Sequence, residues 1–277
     1  VGNIDARQVS ARINAAFGRL PKKGIPERKS YPELEIKGRT QHTAKIGYYP
    51  SVALVYKGVP AGHPDEKALD IAMELLSNTG TLDKLVISGD LTNGYAFLNT
   101  LREQGRCIVS VMPLYDENQR RFESNKSAEK KALKAIEQIA KGEFPDWLVE
   151  AIKNNICRDY DLRMEANESK ANALMEAFIN EADLSKVLNY KEEVMAVTNE
   201  DIKRVAKQYL ADNYLALYIE KGKTKEDNKL KKPGYKAIEP PVGRQSLYAT
   251  QFKNMPIGQV EEKFIDFSDV QTKKLNE

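Results

Sequence analysis

The sequence predicts an α+β fold. Residues 41–48, 51–57, 107–114 and 214–219 are runs rich in β-branched, aromatic or continuous apolar residues and read as strands. Around them, apolar residues recur at helical spacing in several capped segments. At 277 residues, 41% hydrophobic and 30% charged, the chain is long enough and apolar enough to bury a sizeable core.

Asp5 is placed to cap a short amphipathic helix bearing Val9, Ile13, Ala16 and Phe17, which Gly18 and Pro21 end. A polar, proline-punctuated stretch follows to Glu35, and then the first two strands, broken at Pro50. Pro64-Asp65-Glu66 starts a helix with the stripe Ala68, Leu69, Ala72, Leu75 and Leu76, which Asn78 and Gly80 end. From Leu82 to Leu101 the signals are mixed: Asp90 and Asn93-Gly94 suggest turns, and Tyr95 to Leu101 suits a strand or a short helix. Gly105 and Asp116 bound the strand from Cys107 to Leu114. Ser127 is a candidate cap for a helix carrying Ala132, Leu133, Ile136, Ile139 and Ala140 and ending at Gly142. Pro145 opens another, with Trp147, Leu148, Ala151, Ile152, Ile156 and Tyr160, and a further helical pattern from about Ser169 holds Leu174, Met175, Phe178 and Ile179. Thr198-Asn199-Glu200-Asp201 fits a capping box ahead of Ile202, Val205, Ala206, Tyr209 and Leu210. After Glu220, charge and proline dominate and helical periodicity disappears, so 221–277 reads as an extended linker with spaced apolar anchors at Ile238, Val242, Leu247, Tyr248, Phe252, Phe264 and Phe267.

Forty-three Lys and Arg against 40 Asp and Glu leave a formal charge of +3 with the signs interspersed, which argues against nucleic acid as a partner. No apolar run approaches the roughly 20 residues of a membrane span. The basic run from Lys221 to Lys232 is interrupted by Glu226 and Asp227 and reads as solvated linker. Cys107 and Cys157 stand too far apart for a CxxC pair and read as unpaired thiols. Only two histidines occur. His42 lies in a strand and His63 just before a helix, so they make no i, i+4 ligand pair, and no metal or catalytic residue is assigned. Ile87-Ser88-Gly89-Asp90 lacks the leading glycine of a nucleophile elbow, and Gly80, Gly89 and Gly94 form no phosphate loop. The pairs Glu192-Glu193 and Glu261-Glu262 read as solvated charge.

The order of several short motifs carries a resemblance. They are Gly2-Asn3-Ile4-Asp5, the helix end Ala15-Ala16-Phe17-Gly18-Arg19-Leu20-Pro21, and His63-Pro64-Asp65-Glu66-Lys67-Ala68-Leu69-Asp70. Three more follow: Lys141 to Leu148, Val197 to Ile202, and Tyr209 to Tyr214. Together they resemble the non-catalytic domain of the pitrilysin-like (insulinase family) zinc metallopeptidases over about residues 1–220. That resemblance implies a mainly antiparallel sheet with helices packed on one face, the pitrilysin/LuxS-like metallohydrolase fold. It also implies a two-halved enzyme that closes around peptide substrates, with residues 1–220 as the second domain of the first half and 221–277 as the linker toward the next. The opening residues read as mid-protein, since they lack an initiator Met and a signal pattern. Thr81-Leu82-Asp83-Lys84-Leu85 departs from the family's Ser-Arg-Leu pattern, and Leu101 to Gly105 matches its Leu-Arg-Glu-Lys-Gly stretch only in part.

The family's zinc is held by His-x-x-Glu-His and a later Glu, and no position here matches that motif. The resemblance therefore implies no cofactor in this chain and zinc in the full-length enzyme, with peptide substrate and the other domains of the same polypeptide as partners. The alternative it leaves open is a structural or partner-binding domain of a relative without peptidase activity. Glu103-Gln104-Gly105 resembles the glycine-rich turn that anchors substrate N-termini beside an edge strand in some relatives, the Glu attracting an ammonium group. Compartment is not legible in these residues; by extension from bacterial relatives, which often carry export signals, the resemblance points to the cell envelope or periplasm.

Overall fold

The computed structural model describes residues 1–21, 23–24, 27, 29, 35–77, 80–222, 234, 243 and 245–256. The chain divides into two units, Val1–Lys225 and Glu226–Glu277.

The first unit opens with α1 (Ala6–Phe17), where the Asp5 carboxylate accepts from the backbone N–H of Arg7 and Gln8. None of its residues is buried, so the apolar stripe forms without a covering layer among the described residues. β1 (Arg39–Gly47) and β2 (Ser51–Lys57) follow, but they do not pair with each other. α2 (Glu66–Leu76) buries its stripe as its spacing predicts. Next comes α3 (Thr81–Ile87), a helix hidden in the mixed stretch, then β3 (Leu91–Thr100) and β4 (Gly105–Pro113). Seven residues are too few to establish a helical period, which is why α3 is not visible in the sequence. Asn93-Gly94 is not a turn. It sits in β3 beside a register irregularity, and a Cβ on Gly94 would lie 3.2 Å from Leu82 Cβ, so the glycine lets α3 approach the strand closely.

A small ribbon, β5 (Tyr115–Asp116) and β6 (Arg121–Phe122), leads to α4 (Asn125–Lys141). Its cap is Ser124 rather than Ser127: Ser124 Oγ accepts from Ser127 N, while Ser127 Oγ donates to Glu123. Gly142 ends it at φ 79°, as expected of a left-handed C-cap. α5 (Asp146–Glu165), α6 (Asn167–Ile179), α7 (Ser185–Leu188) and α8 (Tyr190–Ala196) make the helix-rich middle. Trp147, Leu174, Met175, Phe178 and Ile179, which carry the helical spacing there, are exposed. α9 (Asn199–Tyr209) has both halves of the Thr198–Asp201 capping box, and β7 (Tyr214–Lys221) closes the unit.

Strand order is β1-β7-β2-β4-β3, antiparallel except for the parallel pair β1·β7. Alternation along β2, β4 and β7 buries Val52, Leu54, Tyr56, Cys107, Val109, Val111, Ala216 and Tyr218 against the apolar faces of α2, α4 and α9. The helices thus cover one sheet face. Both cysteines are free; burial pushes the Cys107 thiol up to about 12.

In the second unit a helix stands where the sequence shows no helical period: α10 (Leu247–Lys253), capped by Ser246 Oγ accepting from Ala249 N. Its Leu247, Tyr248 and Phe252 are exposed. Most of the expected linker, with Ile238, Val242, Phe264 and Phe267, lies outside the described residues.

Beneath the sheet, α4 brings a carboxylate into the core. Glu129 is 4% exposed and accepts from Arg39 Nε and Nη2 at 2.6 and 2.8 Å, Tyr214 Oη at 2.9 Å and Tyr218 Oη at 2.5 Å. Burial alone would raise its pKa; hydrogen bonds from Arg39, Tyr218 and Tyr214 outweigh that and hold it below the ordinary carboxylate value. A depressed carboxylate contributes stability above its unfolded pKa, and that contribution is lost as pH falls through the folded value. Glu129→Ala should cost about 2–4 kcal/mol in urea unfolding at neutral pH, somewhat less than for a fully buried pair because Arg39 stays partly solvated. The cost should shrink below about pH 4 as the wild-type carboxylate protonates. An equal cost at pH 3 and pH 7 would show that packing, not charge, is lost.

Candidate functional site

The sheet face opposite the helices is built by the same alternation. Register sets two rows across it, Phe97–Ile108–Val55–Leu215–Thr40 and Tyr95–Ser110–Ala53–Leu217–His42, followed by the shorter runs Asn93–Met112 and Ser51–Ile219–Ala44. The middle strands contribute half-buried aliphatic side chains, and Tyr95 and Phe97 stack at 6.1 Å on edge strand β3. His42 is exposed on edge strand β1, whereas His63 Nδ1 accepts from Asp65 N at 3.1 Å ahead of α2. The two histidines therefore serve unrelated elements. Among the described residues no group of three or more His, Cys, Asp or Glu is placed to hold a metal ion, so the side chains present do not fit a zinc site.

Glu103-Gln104-Gly105 lies at the β3–β4 turn, and the contacts around it are specific. Leu101 N donates to Gln104 O at 2.8 Å, Ala61 N to Leu101 O at 3.0 Å and Gly58 N to Gly105 O at 2.8 Å. The Glu66 carboxylate takes Gly62 N at 2.8 Å and Thr100 Oγ1 at 3.1 Å, while Arg102 forms an ion pair with Glu181. Gly105 cannot be another residue without movement: a Cβ there would lie 1.9 Å from Val59 O. The strand that follows the turn, β4, is paired on both sides, by β2 and β3. The sheet edge nearest the turn is therefore β3.

Glu103 itself is exposed on the turn. Gln104 and Gly105 open onto a cavity of about 570 Å³ at one end of this face, walled by Glu35, Ile36, Val55, Lys57, Arg106 and Leu215. Lys57 and Arg106 are the site residues that the motifs do not mark. Alternation within each strand places them opposite the core, but their meeting depends on a register between distant strands.

The family model for the peptidase M16 inactive domain matches residues 1–156, more than half of the chain. The chain belongs to this family. Among curated proteins no match is found. A protease from Helicobacter pylori is similar in structure at TM-score 0.68 and 21% identity, covering 79% of this chain and 54% of its own. The inactive peptidase domain of a protein inferred to be a zinc protease, from Bordetella parapertussis, gives 0.53 at 22% identity, covering 61% of this chain and 91% of that domain. The first half of the periplasmic protease PqqL from Escherichia coli gives 0.62 at 12% identity, covering 79% and 49%. At such identities the likeness is one of fold, and the chain spans about half the length of the Helicobacter protease. The M16 inactive domain thus has helices on one face of a mainly antiparallel sheet, and here it shows no metal-binding group among the described residues.

The tight seat of the turn has a measurable consequence. Gly105→Ala should lower the melting temperature by several degrees, because the new methyl group must displace the backbone at Val59. An unchanged thermal transition by circular dichroism would show that the turn is not held as described.

Proposed function

We propose that residues 1–220 form a substrate-enclosing, chamber-forming domain of a larger zinc-dependent peptidase, with 221–277 as the linker toward a following half. What carries this reading is the sheet face opposite the helices, aliphatic along β4, β2 and β7 and aromatic on β3, and continuous with the cavity at the β3–β4 turn. Such a surface suits extended peptides, whose side chains meet the apolar rows while the free edge of β3 offers backbone donors and acceptors. Membership of the M16 inactive-domain family supports the assignment of zinc and the attacking water to another domain of the full-length protein.

Within this reading, Glu103, Gln104 and Gly105 form the substrate-anchoring turn, and the exposed Glu103 carboxylate attracts a peptide's terminal ammonium group. The alternative is a structural or partner-binding domain in a protein without hydrolysis.

Zinc content and cleavage of a quenched fluorescent peptide, measured on this chain and on the full-length protein, separate the two. The expected result is a zinc-free, inactive chain beside a zinc-loaded, active full-length protein. An inert full-length protein would favour the structural alternative, and chelator-sensitive hydrolysis by this chain alone would overturn the assignment of chemistry elsewhere. In the active protein, Glu103→Ala should raise KM several-fold for peptides with a free N-terminus and leave N-acetylated peptides unaffected. Equal effects on both would remove Glu103 from that role.

A further inference from the structure

Two helices of the first unit carry apolar stripes that nothing among the described residues covers. α1 buries no side chain, although Asp5 caps it and Val9, Ile13 and Phe17 follow one another at every fourth position. Ile13, Phe17 and the following Leu20 are each more than half exposed. A helix of 12 residues is marginal in water by itself, so α1 gains its stability from whatever surface covers it. α6 packs on α5 and buries only Ala177, leaving Met175 and Phe178 more than half exposed. α7, which packs on α6, leaves Leu188 exposed as well.

The two stripes start from one place. A Cβ on Gly2, just ahead of α1, would lie 3.2 Å from the side chain of Asn167, the first residue of α6. Neither helix contributes to the rows of the sheet face, so a peptide lying on those rows leaves both stripes bare. Arg7, Arg12 and Arg19 accompany the α1 stripe, and no acid occurs between Ala6 and Pro21. A fitting partner therefore has an apolar face rimmed with acids.

The Helicobacter protease and the first half of PqqL each hold about as much chain again as the part this chain matches. An interface between domains of one chain buries about 600–1,500 Å². Ile13, Phe17, Leu20, Met175, Phe178 and Leu188 supply an apolar centre for a contact of that size.

We propose that the stripes of α1 and α6 are the seat of another domain of the same full-length polypeptide, which covers them with an apolar face rimmed by acids. The proposal rests on the reading of this chain as one domain of a larger peptidase, and it names the surface that joins this domain to the rest.

The test is scanning calorimetry on this 277-residue chain and on the full-length protein. Phe17→Asp and Phe178→Asp should leave the chain's own transition within about 2 °C, because both side chains already face water. In the full-length protein each should lower the transition by about 5–10 °C, or split it in two, by setting a charge in a dry interface. Phe178→Leu should retain most of the coupling. On the unsubstituted proteins, trypsin should cut at Arg7, Arg12 and Arg19 about tenfold faster in the 277-residue chain than in the full-length protein.

Equal shifts in both proteins, no shift from either aspartate in the full-length one, or equal cleavage of α1 in both would each overturn the seat. A dimer of the 277-residue chain that Phe178→Asp dissolves, and that persists in the full-length protein, would assign the stripes to a second copy and overturn it too. The enclosure reading fails separately. An inert full-length protein that still shields α1 removes enclosure and keeps the seat, whereas an active one with α1 open to trypsin does the reverse.

Discussion

A carboxylate taken out of water costs several kcal/mol unless every lone pair finds a donor, and Glu129 is the point at which this fold meets that demand. Its donors come from three places: Arg39 at the start of β1, and Tyr214 and Tyr218 two turns of the pleat apart on β7. Satisfying it therefore ties α4 to both strands of the parallel pair. Among the described residues β1 pairs with β7 alone, and no hairpin connects the two. Asn213 Oδ1 accepts from Gly38 N at 2.7 Å and fixes the entry to β1 from the same side. The width of the face opposite the helices follows from this, because Thr40, His42 and Ala44 extend its rows only while β1 stays docked.

What could be read from the sequence was local. Asp5, Thr198 and Asp201 cap helices through side chains two or three residues away, and α2 buries its stripe because a single turn of helix decides which side chains share a face. Distance along the chain marks where that legibility ends. β1 and β2 look like partners across Pro50, yet β7, which begins more than 150 residues later, lies between them. α3 and α10, at seven residues each, show too little period to be told from loop. The stripes of α1 and α6 have the right spacing and are nevertheless exposed, because periodicity identifies an apolar face without naming what covers it.

The same limit governs the site. Glu103, Gln104 and Gly105 are consecutive and could be picked out as a turn before a strand, and a turn is what they form. Arg106 is the next residue in sequence, but its partner across the sheet lies 49 positions earlier, and only register brings the two together. A slip of one residue between β2 and β4 would set Tyr56 opposite Arg106 and turn one strand's buried set outward, so the core that buries Cys107 and Leu54 also enforces the pairing of Lys57 with Arg106.

Leaving aliphatic rows partly open to water opposes folding at about 25 cal/mol for each Å². A domain selected for stability alone would gain from polar residues in place of the half-buried Ile108 and Leu215. This apolar row meets Lys57 and Arg106 at one cavity, beside a turn whose glycine permits no side chain. The helix-covered face matches its buried carboxylate to donors from Arg39, Tyr214 and Tyr218, while the buried Tyr56 hydroxyl has no partner among the described residues. The rows on this face are one of several apolar surfaces left open, with the stripes of α1 and α6, and binding is what supplies contacts that folding leaves unmade.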